Sequence, residues 1–141
     1  MIAFLDTSCP CKVYHKEDRT HDVEKVISQV EKICLSSIAE LEFRSTIWKK
    51  VRTNEINKTN AMTVIEAFED DFSNYFWVEI DFDGIQSSKD LLMRYGQKGL
   101  RTLDSIQLSA AVSLKNTNCQ FVTFDMRLRK LFQKEGLNVF E

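Results

Sequence analysis

The chain has 141 residues, the usual size of one domain, and a formal net charge of −2, which argues against phosphate-backbone clamping as its main function. Hydrophobic residues make up 43% and charged residues 28%, as in ordinary globular proteins. No apolar run is long enough to cross a membrane, and no leader segment is recognisable. We therefore expect a single domain over residues 1–141, located in the cytoplasm and not attached to a membrane.

The cysteines and histidines do not predict a zinc site. Only one residue separates Cys9 from Cys11, whereas zinc hairpins use two to four intervening residues. Cys34 and Cys119 lie in apolar stretches and are interpreted as core residues. The two histidines have no partner at ligand spacing.

In the first half of the chain, residues 1–5 predict a buried strand that ends at Asp6-Thr7-Ser8. A helix follows within residues 9–31, and residues 33–35 predict a second buried strand. A capping box at residues 37–40 predicts a helix that runs to about residue 51. The core side of that helix is predicted to carry Ile38, Leu41, Trp48 and Val51.

The second half continues the alternation of helices and strands. The predicted elements are a helix at 57–71, a strand at 76–80, a helix at 85–97, a helix capped by Thr102 with Leu103 on its apolar side, a strand at 120–124, a basic helix at 126–135 and a strand at 137–140. Two strands are apolar without inside–outside alternation, which indicates burial on both faces. We therefore predict an α/β fold with a mostly parallel sheet of about five strands and helices on both faces.

Four acidic residues occupy positions where an open parallel sheet binds ligands, beyond the carboxyl ends of its strands. Asp6 ends the first strand, and Asp125 ends the fourth. Glu42 lies about one turn into the helix after the second strand, and Asp104 lies in the first turn of its helix. If the first and fourth strands are neighbours, all four acids converge on one pocket.

Each acid also has an ordinary structural alternative. Asp6 can end a strand in a turn, Asp125 can cap a helix, and Asp104 can complement a helix dipole. Glu42 is harder to explain in this way because it lies beside the buried stripe, where an unpaired carboxylate is costly. Glu40, in contrast, has structural roles as capping-box partner and as a pair with Arg44, so Glu42 is the preferred site residue.

Four converging carboxylates predict a site for Mg²⁺ or Mn²⁺, which prefer hard oxygen ligands. Such a metal lowers the pKa of a bound water and stabilises charge on a phosphate. In this hypothesis Asp6, Asp104 and Asp125 surround the metal and Glu42 completes the acidic cluster. Ser8 lies two residues after Asp6, and Thr123 lies two residues before Asp125, so both hydroxyls are candidates for orienting ligands or water. Ordinary roles at the ends of strands explain the two residues equally well.

Four segments together resemble the motifs of PIN domains. They are Asp6-Thr7-Ser8, residues 36–45 with Glu42 as the acid, residues 100–111 with Asp104, and residues 121–125 ending in Asp125. The four motifs occur in the same order as in PIN domains and cover nearly the whole chain. Among PIN domains, the chain is most similar to the VapC toxins of bacterial toxin–antitoxin pairs. Cys9-Pro10-Cys11 departs from the aliphatic residues usual after the first motif.

The resemblance implies an RNA endonuclease that uses Mg²⁺ or Mn²⁺ and has Asp6, Glu42, Asp104 and Asp125 as catalytic residues. It also implies a homodimer and a cognate antitoxin whose C-terminal segment covers the acidic pocket. Basic groups flank the pocket in sequence, and Arg101 and Arg127 are candidates for contacts with RNA phosphates.

Two other hypotheses remain open from the sequence. A receiver-type signalling module also clusters acids around Mg²⁺, but it needs an early acid pair and a lysine after the fourth strand, where this chain has Asp125. A PIN-like scaffold without catalysis is the least favoured hypothesis because all four acids are present.

Overall fold

The computed structural model describes residues 1–141, in which four β-strands alternate with seven α-helices. The elements are β1 (Ile2–Leu5), α1 (Ser8–Tyr14), α2 (Thr20–Gln29), β2 (Lys32–Ser36), α3 (Ala39–Arg52), α4 (Lys58–Asp70), β3 (Phe76–Val78), α5 (Phe82–Tyr95), α6 (Thr102–Ser113), β4 (Cys119–Val122) and α7 (Met126–Lys134). Short 3₁₀ turns lie at Phe72–Asn74 and Gly96–Lys98. No helix combines the length and apolar character needed to span a membrane.

The four strands form one parallel sheet in the order β3-β2-β1-β4. The first strand of the chain is therefore central, with β2 on one side and β4 on the other. The chain adds strands in one direction from β1 to β3 and then returns to add β4 beyond β1. The strand order thus reverses between β1 and β4, the place where open α/β sheets bind ligands.

Helices cover both faces of the sheet and form two separate apolar cores. Ala3 and Leu5 point to one face, where they pack with residues of α1, α2, α3 and α4. Phe4 points to the other face and packs with residues of α5, α6 and α7. Burial on both faces explains why β1 is apolar at every one of these positions.

The predicted α/β class and helix-covered parallel sheet are confirmed, but the sheet has four strands instead of five. The segment expected as a terminal strand makes only one bridge to β4, between Phe121 and Val139. Two backbone hydrogen bonds hold it there, from the Phe121 amide to Asn138 and from the Phe140 amide to Phe121, each 2.8 Å long. Because this single bridge is its only pairing with the sheet, the segment is not a fifth strand.

Several local predictions were wrong. The capping box does not form, since α3 begins after Ile38 without a side-chain cap and the Ser36 hydroxyl accepts the Ile38 amide instead. Thr102 is likewise inside α6 and not its cap. Two residues assigned to buried stripes, Leu41 and Leu103, are 67% and 47% exposed.

Two helix boundaries also differ from the prediction. Helix α1 was not predicted as a separate helix, yet it carries Cys9, Pro10 and Cys11 into the core. Helix α5 begins at Phe82, three residues earlier than expected, because the Asp81 carboxylate caps it by accepting the Gly84 amide at 2.7 Å. All four cysteines are buried and free, so the interpretation of Cys34 and Cys119 as core residues is confirmed.

Candidate active site

A cavity of about 260 Å³ opens at the carboxyl ends of β1 and β4, where the strand order reverses. It brings together all four acids selected from the sequence. Its walls are formed by Asp6, Thr7, Ser8, Cys11, Glu17, Glu42, Thr46, Asp104, Gln107, Asp125 and Leu128. A larger cavity of about 360 Å³, beside α5 and α6, contains none of these four acids, so the smaller cavity is the candidate site.

Asp6 is the most buried of the four acids, with 4% of its surface exposed. Its carboxylate accepts the Ser8 amide at 2.7 Å and the Ser8 hydroxyl at 2.5 Å, both on Oδ1, while the Thr123 hydroxyl donates to Oδ2. Burial raises the pKa of Asp6, the hydrogen bonds from Ser8 and Thr123 lower it, and the charge of Glu42 raises it. The net result of these effects is a pKa of about 6. No cationic side chain neutralises this carboxylate.

The two predicted supporting residues, Ser8 and Thr123, both contact Asp6 directly. Thr123 also accepts the backbone amide of Asp125 at 3.1 Å. The Thr123 hydroxyl therefore links the residue that ends β1 to the residue that follows β4. The contact depends on the pairing of the two strands, in which the Asp6 amide donates to the Val122 carbonyl at 3.1 Å.

Glu42 is held by two residues for which the sequence predicted no role. Its Oε1 accepts hydrogen bonds from the Thr7 hydroxyl and from the Gln107 side-chain amide, each at 2.8 Å. The same Gln107 amide lies 2.8 Å from the Thr7 hydroxyl. The carboxylate of Glu42 is therefore fixed through one oxygen, and the second oxygen has no protein donor.

Gln107 also contributes the one buried side-chain polar atom without a hydrogen-bond partner, its carbonyl Oε1. The residue is 3% exposed and lines the cavity. Its position three residues after Asp104 places both side chains on one face of α6, a spacing that was visible in the sequence. An unpaired buried acceptor is uncommon in folded proteins, and its occurrence beside the acids makes Gln107 a candidate functional residue.

Asp104 and Asp125 form the opposite side of the cavity. Burial raises the pKa of the half-buried Asp104, and the charge of Asp125 raises it further, whereas Arg127 and Arg101 lower it. Asp125 is exposed and caps α7, because its Oδ1 accepts the Arg127 amide at 2.8 Å and the Leu128 amide at 3.0 Å. Its other oxygen remains available to the cavity.

Arg101 and Arg127, the two predicted RNA contacts, are exposed residues whose charges act on Asp104. Arg127 is fixed by its guanidinium, which donates to the Gly99 carbonyl at 3.1 Å. Gly99 has a φ of 89°, and a Cβ there would lie 3.2 Å from the Arg127 Nη1. A glycine at this turn therefore allows both the left-handed backbone and the close approach of the arginine.

The donor set fits a hydrated hard cation better than a closed metal cage. No three histidine, cysteine or acidic side chains are close enough to hold one ion together. Mg²⁺ commonly uses only one or two carboxylates and keeps several waters, which matches oxygen donors spread around a cavity.

The family model for the PIN domain matches residues 3–132 of the chain. Among curated proteins, none matches the chain by sequence. Solved structures, in contrast, match over nearly its full length.

Three solved structures illustrate the similarity. VapBC2 from Rickettsia felis, bound to a promoter DNA fragment, has a TM-score of 0.68 at 19% identity, covering 99% of this chain and 98% of that chain. FitAcB from Neisseria gonorrhoeae has a TM-score of 0.69 at 16% identity, covering 100% and 97%. VapC20 from Mycobacterium tuberculosis, a toxin that cleaves the sarcin–ricin loop, has a TM-score of 0.68 at 11% identity, covering 92% and 94%. At these identities the likeness shows the fold alone.

Proposed function

Because this chain belongs to the PIN domain family, we propose that it is a metal-dependent endoribonuclease and the toxin of a toxin–antitoxin pair. The observation that supports the proposal is the meeting of Asp6, Glu42, Asp104 and Asp125 in one cavity at the strand-order reversal. These residues are far apart in sequence, and each comes from a different part of the fold. Mutual repulsion makes four acids in one cavity unfavourable for folding alone, whereas metal-assisted phosphodiester hydrolysis uses them.

The proposed partners follow from the similar structures. One of them is a toxin that cleaves the sarcin–ricin loop, an RNA element, and others are toxin–antitoxin complexes. We therefore propose an RNA substrate and a cognate antitoxin. From the resemblance of the sequence motifs to those of VapC toxins, we also propose that the antitoxin covers the acidic cavity and that the chain forms a homodimer. Membership of the PIN family removes the basis for the receiver-type hypothesis.

In the proposed mechanism, Asp6, Asp104 and Asp125 would surround a hydrated Mg²⁺ or Mn²⁺ and hold it partly through its bound waters, because the three carboxylates are not close enough to bind one ion directly together. The metal would lower the pKa of the attacking water and stabilise charge on the cleaved phosphate. Ser8 and Thr123 keep the Asp6 carboxylate in one orientation. Glu42 presents its unoccupied oxygen to the cavity, where it can accept a proton from water.

Arg101 and Arg127 have a separate role in this mechanism. Their exposed guanidinium groups flank Asp104 and can bind phosphates on either side of the cleaved bond. Arg127 is held in place by Gly99, so its contact would fix the substrate at a defined distance from the acids.

The test is cleavage of total RNA by the purified protein with Mn²⁺ or Mg²⁺, with chelator, and with an Asp104→Asn variant shown to be folded. We expect cuts at a few sites that require metal and disappear in the variant. Asp90→Asn, an exposed acid on α5 outside the cavity, is the matched control and should cut normally. Cuts that persist in chelator, or in both Asp6→Asn and Asp104→Asn, would refute the proposal.

A further inference from the structure

Lys50, in the last turn of α3, is a charged residue with only 8% of its surface exposed. A lysine at a helix end is usually solvated, yet this one lies behind the wall of the acidic cavity. Its ammonium is 2.6 Å from Glu17 Oε2 and 2.9 Å from His15 Nδ1. Since an ammonium has no acceptor capacity, it donates to both.

Glu17 is the anion of this cluster and is shared by two lysines. Lys12 Nζ lies 3.1 Å from Glu17 Oε1, so each carboxylate oxygen contacts a different ammonium. Burial acts to raise the pKa of Glu17, but the hydrogen bonds and charges of Lys50 and Lys12 lower it below its ordinary value. The cluster therefore pairs one glutamate with two lysines.

The cluster adjoins the acidic cavity on the side away from Arg101 and Arg127. Glu17 lines the cavity together with Cys11 and Thr46. Glu42, Thr46 and Lys50 follow one another at four-residue spacing along α3, which places them on one helix face. Helix α3 covers one face of the sheet, and α6 and α7 cover the opposite face. The wall of the acidic cavity that contains Asp104 and Asp125 therefore lies across the sheet from α3.

Of the three charged side chains, that of Glu17 is the most exposed. Its side chain is 33% exposed, compared with 15% for Lys12 and 10% for Lys50. It also lies between α1 and α2, outside any helix, so its side chain can leave without disturbing a helical hydrogen bond. Neither lysine lines the cavity itself, and Glu17, which does, lies between the cavity and the two ammonium groups. Movement of the Glu17 side chain would therefore leave the two lysines without their anion.

We propose that Lys12 and Lys50 form a phosphate-binding site, which Glu17 occupies until an RNA phosphate next to the cleaved bond displaces it. Phosphate and carboxylate oxygens make the same charge-assisted hydrogen bonds with ammonium groups, and phosphate offers more of them. With this site, cations flank the acids on both sides. The assignment of RNA as the ligand rests on the proposed function.

The first test uses inorganic phosphate and thermal unfolding in place of RNA. We compare wild type, Glu17→Gln and Asp18→Asn, in phosphate and in chloride of equal ionic strength. Asp18 is exposed, lies beside Glu17 and makes no ion pair, so its variant removes the same charge without freeing a lysine. Phosphate should raise the unfolding temperature of Glu17→Gln more than that of the other two proteins.

The second test measures binding of a fluorescent single-stranded RNA in chelator as a function of salt. Glu17→Gln should bind more tightly than Asp18→Asn, with a steeper dependence of log affinity on log salt by about 0.7, the increment for one added phosphate contact. Adding Lys50→Met to Glu17→Gln should remove both gains. If Glu17→Gln does not fold, Glu17→Ala with Asp18→Ala replaces the pair.

Equal responses of Glu17→Gln and Asp18→Asn, or gains that survive Lys50→Met, would overturn the proposal and leave the cluster as a structural ion pair. Neither test requires RNA cleavage. If the protein cuts no RNA but Glu17→Gln shows both the larger response to phosphate and the tighter RNA binding, the proposed nuclease function is refuted and the phosphate site is supported. A protein that cuts RNA but shows neither gain would refute the phosphate site alone.

Discussion

The Asp6 carboxylate has three hydrogen bonds from Ser8 and Thr123, yet burial still raises its pKa from the ordinary value of 3.8 to about 6. The folded protein therefore keeps a proton on Asp6 over a pH range in which the unfolded chain has already lost it. By linkage, the free energy of unfolding falls as the pH rises through this range. Above pH ~6 the metal-free protein carries a destabilising buried charge.

We predict that Asp6→Asn stabilises the metal-free protein at neutral pH. A shift of roughly two pKa units corresponds to about 3 kcal/mol, present above the folded pKa and absent below about pH 4. Denaturant unfolding in chelator from about pH 4 to pH 8 measures the difference from wild type, with exposed Asp18→Asn as control. A difference that does not change with pH would contradict this account of Asp6.

Gln107 is predicted to act by holding Glu42. Gln107→Leu keeps the side-chain volume but removes the amide donor, so Glu42 loses one of its two hydrogen bonds. We expect kcat to fall about 10- to 100-fold, as for groups that orient ligands at metal sites. The unfolding temperature should change little because the substitution also removes an unpaired buried carbonyl.

The control for Gln107→Leu is Gln133→Leu on the exposed side of α7, which should retain full RNA cleavage. If both variants cleave equally, the contact with Glu42 has no functional role. If Gln107→Leu unfolds at a much lower temperature, its effect is on folding.

Residue-scale prediction from the sequence succeeded for side chains that follow a strand or begin a helix. The positions of Asp6, Glu42, Asp104 and Asp125 follow from element boundaries and from the rule for parallel sheets. Gln107 and Thr7 were assigned no role, since their contact with Glu42 depends on how α3 and α6 face β1. Lys50 was also assigned no role, because a lysine at a helix end is usually solvated and its partner Glu17 is 33 residues away.

At the scale of elements, helix α7 depends on Asp125 for its start. Oδ1 of this residue accepts two amides of the first turn, and its other oxygen takes no part in these bonds. The structural alternative and the functional hypothesis for Asp125 therefore describe two different oxygens of one side chain, and the two are compatible.

We predict that two substitutions of Asp125 separate these roles. Asp125→Asn keeps an acceptor for the cap but removes the charge, so cleavage should be lost with little change in stability. Asp125→Ala should lose cleavage and also about 1 kcal/mol of stability. The control is Asn57→Ala, which removes the cap of α4 far from the cavity and should cost similar stability with full cleavage.

RNA cleavage and denaturant unfolding measure both effects. Equal stability of Asp125→Asn and Asp125→Ala would show that the cap contributes nothing, and cleavage by Asp125→Asn would remove this residue from the proposed mechanism.

Prediction of elements from the sequence failed where a local sequence pattern was compatible with two different structures. Ser36 and Ser37 both precede α3, and the chain uses the Ser36 hydroxyl, so the capping box expected from Ser37 does not form. Leu41 fits the helical period, but the buried side of α3 is formed by other residues, Ala39, Phe43, Ile47 and Lys50. Leu103 lies in the first turn of α6, which is exposed. The terminal segment has strand-like residues, yet Phe121 is the only residue of β4 that makes backbone hydrogen bonds with it.

At the scale of the whole molecule, metal binding and folding should be coupled through the acids. We predict that Mn²⁺ raises the unfolding temperature at about pH 8 and much less at about pH 5. At the lower pH a proton occupies Asp6, whose pKa is about 6, and competes with the metal. Thermal unfolding with and without Mn²⁺ measures this, and Asp104→Asn should lose the response at both pH values.

NaCl at the same ionic strength controls for general ionic effects on stability. A Mn²⁺ response of equal size at both pH values would show that Asp6 does not take part in binding the metal.

The position of β1 at the centre of the sheet has a consequence for how the protein is made. Ribosomes synthesise β1 long before β4, but the cavity lies between these two strands. A nascent chain that has reached α4 carries Asp6 and Glu42 but neither Asp104 nor Asp125. If the proposed nuclease function is correct, cutting activity can arise only after β4 and Asp125 have been synthesised, and a product that stops before them would lack it.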